Sequence, residues 1–112
     1  MKLEIVRELK KENKEYREYA LVGTGYKLAI VTENGTSELK YVHRDWEARY
    51  LPEIYIKYDW EGKNEIQGFT IQTTTYGALG TEEIQKVITG YNQALEVVQF
   101  LTKQFIKQKS TQ

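Results

Sequence analysis

Along residues 81–109, apolar side chains recur at Ile84, Val87, Ile88, Tyr91, Ala94, Leu95, Val98, Leu101 and Phe105. Steps of three, four and one are the helical period, and they predict one long amphipathic helix from Thr81 to Lys109. Gln85, Lys86, Thr89, Asn92, Gln93, Glu96 and Lys103 occupy the opposite side. Thr81 after Gly80 reads as the N-cap, with Glu82 and Glu83 favourable in the first turn. Gly90 weakens the helix by about 1 kcal/mol relative to alanine. Its bare flank leaves room for a strand to approach. The row Val87, Tyr91, Ala94, Val98, Leu101 and Phe105 also fits a heptad. Packing of that face on a sheet of the same chain is the favoured reading, because a lone sheet needs cover. Phe100 projects from the polar side, which makes it a candidate contact residue.

Residues 2–76 alternate with the period of strands and predict an antiparallel sheet of about six strands in three hairpins. Residues 2–22 also fit a helical spacing, but charge order decides against a helix. At i,i+4 the pairs Glu4–Glu8, Arg7–Lys11, Glu8–Glu12 and Lys10–Lys14 are like-charged and repel. A hairpin turning at Glu12-Asn13 sets Lys10 opposite Glu15, Glu8 opposite Arg17, Arg7 opposite Glu18 and Leu9 opposite Tyr16. It also sets Val6 opposite Tyr19, Ile5 opposite Ala20 and Leu3 opposite Val22. These are the opposite-charge and apolar cross-strand pairs that stabilise a ladder. Asn34-Gly35 marks the second hairpin, pairing Ile30 with Leu39, Leu28 with Tyr41 and Tyr26 with His43. The third joins 53–60 to 65–75 through Glu61-Gly62-Lys63-Asn64, with Ile54 opposite Ile71, Ile56 opposite Phe69 and Tyr58 beside Gln67. Gly68 suggests a bulge or a close backbone approach. The expected fold is α+β, one domain over residues 1–112, with the sheet packed on the C-terminal helix.

The composition narrows the functional classes. Sixteen basic and sixteen acidic side chains balance, which argues against generic electrostatic binding to nucleic acid. No cysteine is present, so there is no disulfide framework or thiolate metal site, and a reducing compartment fits. No hydrophobic run reaches the length of a membrane span, and Met1–Glu4 does not read as a signal peptide. A cytoplasmic protein is expected.

Reactive chemistry finds little support. His43 is the single histidine, with Asp45 two positions on, but no serine elbow accompanies them. Asp59 and Glu61 flank a turn, where acids ordinarily serve solubility. Gly23-Thr24-Gly25 lacks the further glycine and the Lys-Ser/Thr of a phosphate loop. No catalytic, metal or cofactor site is expected. Residues 44–52, Arg-Asp-Trp-Glu-Ala-Arg-Tyr-Leu-Pro, are more suggestive, since Trp and Arg on a connection are the residue types of binding hot spots. Alternatively, Trp46 and Tyr50 cap an open end of the core. The expected function is a non-enzymatic protein-binding module, such as an accessory or inhibitory protein of a phage or mobile element acting on a host protein. Its contact residues are Trp46, Arg49, Tyr50, Tyr55 and Phe100. One alternative is a single-stranded nucleic-acid binder that stacks bases on the outer sheet face through Tyr19, Lys27, Lys40, Tyr55 and Lys57, with Arg17 nearby. A structural homodimer, through the open sheet face or an edge strand, is a further alternative.

Overall fold

The alternating stretches fold as antiparallel strands and the periodic C-terminal stretch as a helix. The computed structural model describes residues 1–59 and 65–106. In it, β1 (Leu3–Lys11), β2 (Lys14–Leu21), β3 (Tyr26–Glu33) and β4 (Thr36–Arg44) form one sheet in chain order, and β5 (Ile54–Tyr58) and β6 (Ile66–Ile71) form a second. Helix α1 (Thr81–Phe105) follows. The fold is α+β as expected, with the six strands divided between two sheets. The expected turn at 61–64 and helix residues 107–109 lie outside the described residues.

Each hairpin keeps the expected register over part of its length and slips by one residue, beyond the turn side in the first two and on the turn side in the third. In the first, Lys10 faces Glu15, Leu9 faces Tyr16, Glu8 faces Arg17 and Arg7 faces Glu18. Arg17 reaches both Glu8 and Glu15. Val6 is then left over as a bulge, so Ile5 faces Tyr19, Glu4 faces Ala20 and Leu3 faces Leu21. In the second, Asn34 (φ 52°) and Gly35 (φ 80°) supply the two left-handed residues of a type I′ turn. Ile30 faces Leu39 as expected, but Lys40 is extra, and Leu28 faces Val42 while Tyr26 faces Arg44. A slip of one residue turns every later side chain to the other face. Val42 therefore joins the core, and Tyr41 and His43 stand on the outer face with their rings 5.1 Å apart, edge to face. In the third, Ile54 faces Ile71 and Ile56 faces Phe69, and Gln67 is the extra residue, placing Tyr58 opposite Ile66. β6 stops at Ile71, although the Gln72 N–H still donates to the Glu53 carbonyl at 2.9 Å, and residues 73–75 continue outside the ladder.

The core joins Leu21, Tyr26, Leu28, Leu39, Val42 and Ile54 to Ala94, Val97 and Leu101 of α1. Burying residues such as Val97 and Leu101 contributes about 1.5–3 kcal/mol each. The helix is rotated from the expected orientation. Its buried row is Gly90, Ala94, Val97 and Leu101, whereas Ile84, Ile88 and Leu95 are exposed. Apolar residues cover more than one face of α1, and the face with the small residues Gly90 and Ala94 permits the closest approach. Phe100 is half-buried against the core rather than projecting from the polar side. The N-cap is Gly80, and Thr81 is the first helical residue. Glu83 does the capping by accepting the Gly80 N–H at 3.4 Å.

A candidate binding cleft beside the helix

The connection between β4 and β5 is held in place at several points. The Asp45 N–H donates to the Gly25 carbonyl at 2.8 Å, and Ala48 and Leu51 close successive turns onto Asp45 and Ala48. Arg44 Nη1 donates to the Ala48 carbonyl at 2.8 Å. At the far end, the buried Tyr26 hydroxyl donates to the Pro52 carbonyl. Two glycines make this closeness possible. A β-carbon on Gly25 would strike Leu51, and one on Gly90 would strike the Tyr50 carbonyl oxygen. The bare flank of Gly90 thus receives the 44–52 connection instead of a strand. Gln93 Oε1 accepts the Gly25 N–H at 3.0 Å and ties the helix to the start of β3.

Between this connection and α1 runs an open cleft of about 960 Å³. Arg49, Tyr50 and Leu51 line one side, and Gln85, Lys86 and Gln93 line the other. Tyr50 is its most constrained side chain. Its hydroxyl donates to Glu83 Oε2 at 3.1 Å, and its ring lies 5.8 Å from that of Tyr76. The Arg49 guanidinium lies 5.1 Å and the Lys86 ammonium 5.8 Å from the ring centroid, within cation–π range. Burial, aided by the bond to Glu83, holds the Tyr50 phenol above its usual range. Glu83 therefore joins the helix start to the cleft wall. Trp46 stands beside the cleft, one residue before its lining begins at Glu47, and is 85% exposed.

Of the five expected contact residues, the structure gathers Trp46, Arg49 and Tyr50 in one place. Tyr55 lies on the second sheet, exposed, with its hydroxyl toward Glu53 and Gln72. Phe100 is half-buried, packed in part on the core and away from the cleft lining. Tyr50 is shared between wall and support, so it is not an innocuous contact residue.

The residues expected to read nucleic acid are also dispersed. Tyr19 faces the core instead of the outer surface. Lys27 lies 3.8 Å from Asp45, and Lys40 lies 3.3 Å from Glu38. Lys57 sits on β5 beside Tyr55, in the second sheet. The outer face of the larger sheet carries Tyr16, Tyr41 and His43 instead, and the Tyr16 and Tyr41 hydroxyls meet in a hydrogen bond. Among these residues, His43 packs on Tyr41 while Asp45 reaches Lys27.

The helix side of the cleft was missed in the sequence because Gln85, Lys86 and Gln93 look like an ordinary solvated face. Gly90 among them was the available signal. Comparisons with protein families, with curated proteins and with solved structures found no match. Among the described residues, no helix is long and apolar enough to cross a membrane.

Proposed function

We propose that this chain is a non-enzymatic protein-binding module that docks a segment of another protein in the cleft beside α1. One observation carries the reading: an almost fully exposed Trp46 sits on a connection whose backbone is tied down on both sides. An indole left in water contributes little to the fold, and a residue of this type beside an open cleft suits a contact anchor. The ties from Asp45 to Gly25 and from Arg44 to Ala48 lower the ordering cost of association, because the lip is already shaped. Arg49 and Lys86 add cations at the mouth, and Leu51 and the Tyr50 ring add apolar surface. The partner segment that suits this lining is mixed, with an apolar side chain for the wall and an acidic one near the two cations.

The test is capture from a nuclease-treated bacterial lysate with the wild-type chain, Trp46→Ala and Arg49→Ala. A stoichiometric protein held by the wild type and reduced in both variants supports docking at the cleft. A protein held equally by all three removes the cleft from the reading. Signal that vanishes with the nuclease moves the assignment to single-stranded nucleic acid.

A further inference from the structure

One surface differs from the rest of the molecule in its lack of charge. Acidic and basic residues make up 29% of the chain, yet none occurs between Ile66 and Thr81. The exposed residues Gln72, Thr73, Thr74 and Thr75 form a shoulder in this stretch. α1 extends the same character along one flank. Ile84, Ile88, Tyr91, Leu95, Val98 and Thr102 follow one another at steps of four, three, four, three and four. Asn92 and Gln99 run beside them. Ile84, Ile88 and Leu95 are 43%, 50% and 52% exposed. The two uncharged regions adjoin, since the Thr74 N–H donates to the Tyr91 hydroxyl at 3.0 Å.

We infer that this flank is a self-association face on which a second copy of the chain docks, α1 against α1 in antiparallel sense. The step pattern is that of a helix–helix seam with knobs facing holes. It shares Tyr91 and the partly core-packed Val98 with the heptad row of Val87, Ala94, Leu101 and Phe105, whose Ala94 and Leu101 are consumed by the core, and it adds the exposed Ile84, Ile88 and Leu95. Amides and hydroxyls both donate and accept, so the flank complements its own copy, whereas a charged partner finds no counter-ion there. Charge depletion is also the compositional mark of an interface core. A twofold axis beside Tyr91 and Asn92 sets Ile88 against Leu95 of the other copy, twice, in the isologous arrangement usual for dimers. The same arrangement brings the acidic first turn, Glu82 and Glu83, toward the Lys103 end of the other helix, which complements both dipoles. Residues 84–102 span about 27 Å at 1.5 Å per residue.

Sedimentation equilibrium of the full chain tests this. The expected result is a concentration-dependent mass rising from 13.2 kDa toward twice that value. Ile88→Glu combined with Leu95→Glu should weaken the dimer by roughly a hundredfold or more, as expected when two buried anchors are lost. Circular dichroism should be unchanged, because both side chains are half exposed. Further variants use the absence of native cysteine. Under oxidation a mixture of Ile88→Cys and Leu95→Cys chains should form the mixed cross-link, and Ile84→Cys should not link to its own copy. A mass that stays monomeric overturns the inference, as does a dimer that survives both glutamates. Self-cross-linking at Ile84→Cys without the mixed link between Ile88→Cys and Leu95→Cys overturns the antiparallel pairing. The outcome is independent of the cleft reading, since Trp46 and Arg49 lie off this flank.

Discussion

The Tyr50 carbonyl oxygen occupies the place where a β-carbon on Gly90 would stand. The helix gives up propensity at this position so that the β4–β5 connection can lie against it. Gly90→Ala recovers about 1 kcal/mol of helix propensity but drives a methyl group into the backbone, and overpacking of this kind costs about 1–3 kcal/mol or more. The neighbouring atom is main chain, which cannot swing aside, so the collision should win. Urea unfolding should show net destabilisation. A variant as stable as the wild type would show that the connection does not rest on the helix.

The rotation of α1 is tested by two leucines six residues apart. Leu101 is fully buried and Leu95 half exposed. Leu101→Ala should cost about 2–5 kcal/mol. Leu95→Ala should cost less than about 1 kcal/mol when measured at concentrations where the chain is monomeric. The orientation read from sequence periodicity alone places both residues in the core and predicts comparable losses.

Tyr26 links stability to alkaline pH. Its ring is buried and its hydroxyl bonds to the Pro52 carbonyl, so burial pushes the phenol well above its ordinary value. A folded-state pKa above the unfolded value of about 10 means that the stability is fully present below pH 10 and declines as pH rises through the folded value. Tyr26→Phe should cost about 1–3 kcal/mol at neutral pH by leaving the carbonyl unpaired. The difference from wild type should narrow above pH 10 in denaturant titrations. A constant difference up to pH 11 would contradict the account.

Trp46 and Tyr50 separate display from support. Trp46→Ala should shift stability by no more than about 0.5 kcal/mol, as for an exposed side chain. Tyr50→Ala removes the bond to Glu83 and the contact with Tyr76, and should cost about 1–2 kcal/mol on the scale of a lost hydrogen bond and ring pair. Thermal melts of the two variants side by side make the comparison. Equal losses would place Trp46 in the fold.

The legible parts were those governed by local rules. Charge order in 2–22 indicated a hairpin, and its tip pairs Lys10 with Glu15 and Glu8 with Arg17 as read. Asn34-Gly35 fixed the second turn. The bulge at Gln67 was signalled by the adjacent Gly68, but those at Val6 and Lys40 were not legible, because a bulge inserts one residue without altering the alternation on either side of it. That is why Tyr41 and His43 seemed to face the core and Val42 did not. The helix face was illegible for a related reason: Ile84, Ile88 and Leu95 satisfy the helical period as well as Val97 and Leu101 do. Choosing between them requires knowing what packs against Gly90. At the cleft, Trp46, Arg49 and Tyr50 announced themselves by residue type. The residues they face on α1 depended on a long-range approach that no local pattern encodes.

The most direct measurement for the docking reading is amide hydrogen exchange on this chain, free and with the captured protein bound. In the free chain, the amides of Asp45 and Leu51, bonded to the Gly25 and Ala48 carbonyls, should exchange slowly for a connection. In the complex, protection should rise over residues 45–51 and along the first three turns of α1, while β5 and β6 should be unchanged. Protection that instead appears on the Tyr16–Tyr41 face or across Tyr55 and Lys57, with 45–51 unaffected, would contradict the account.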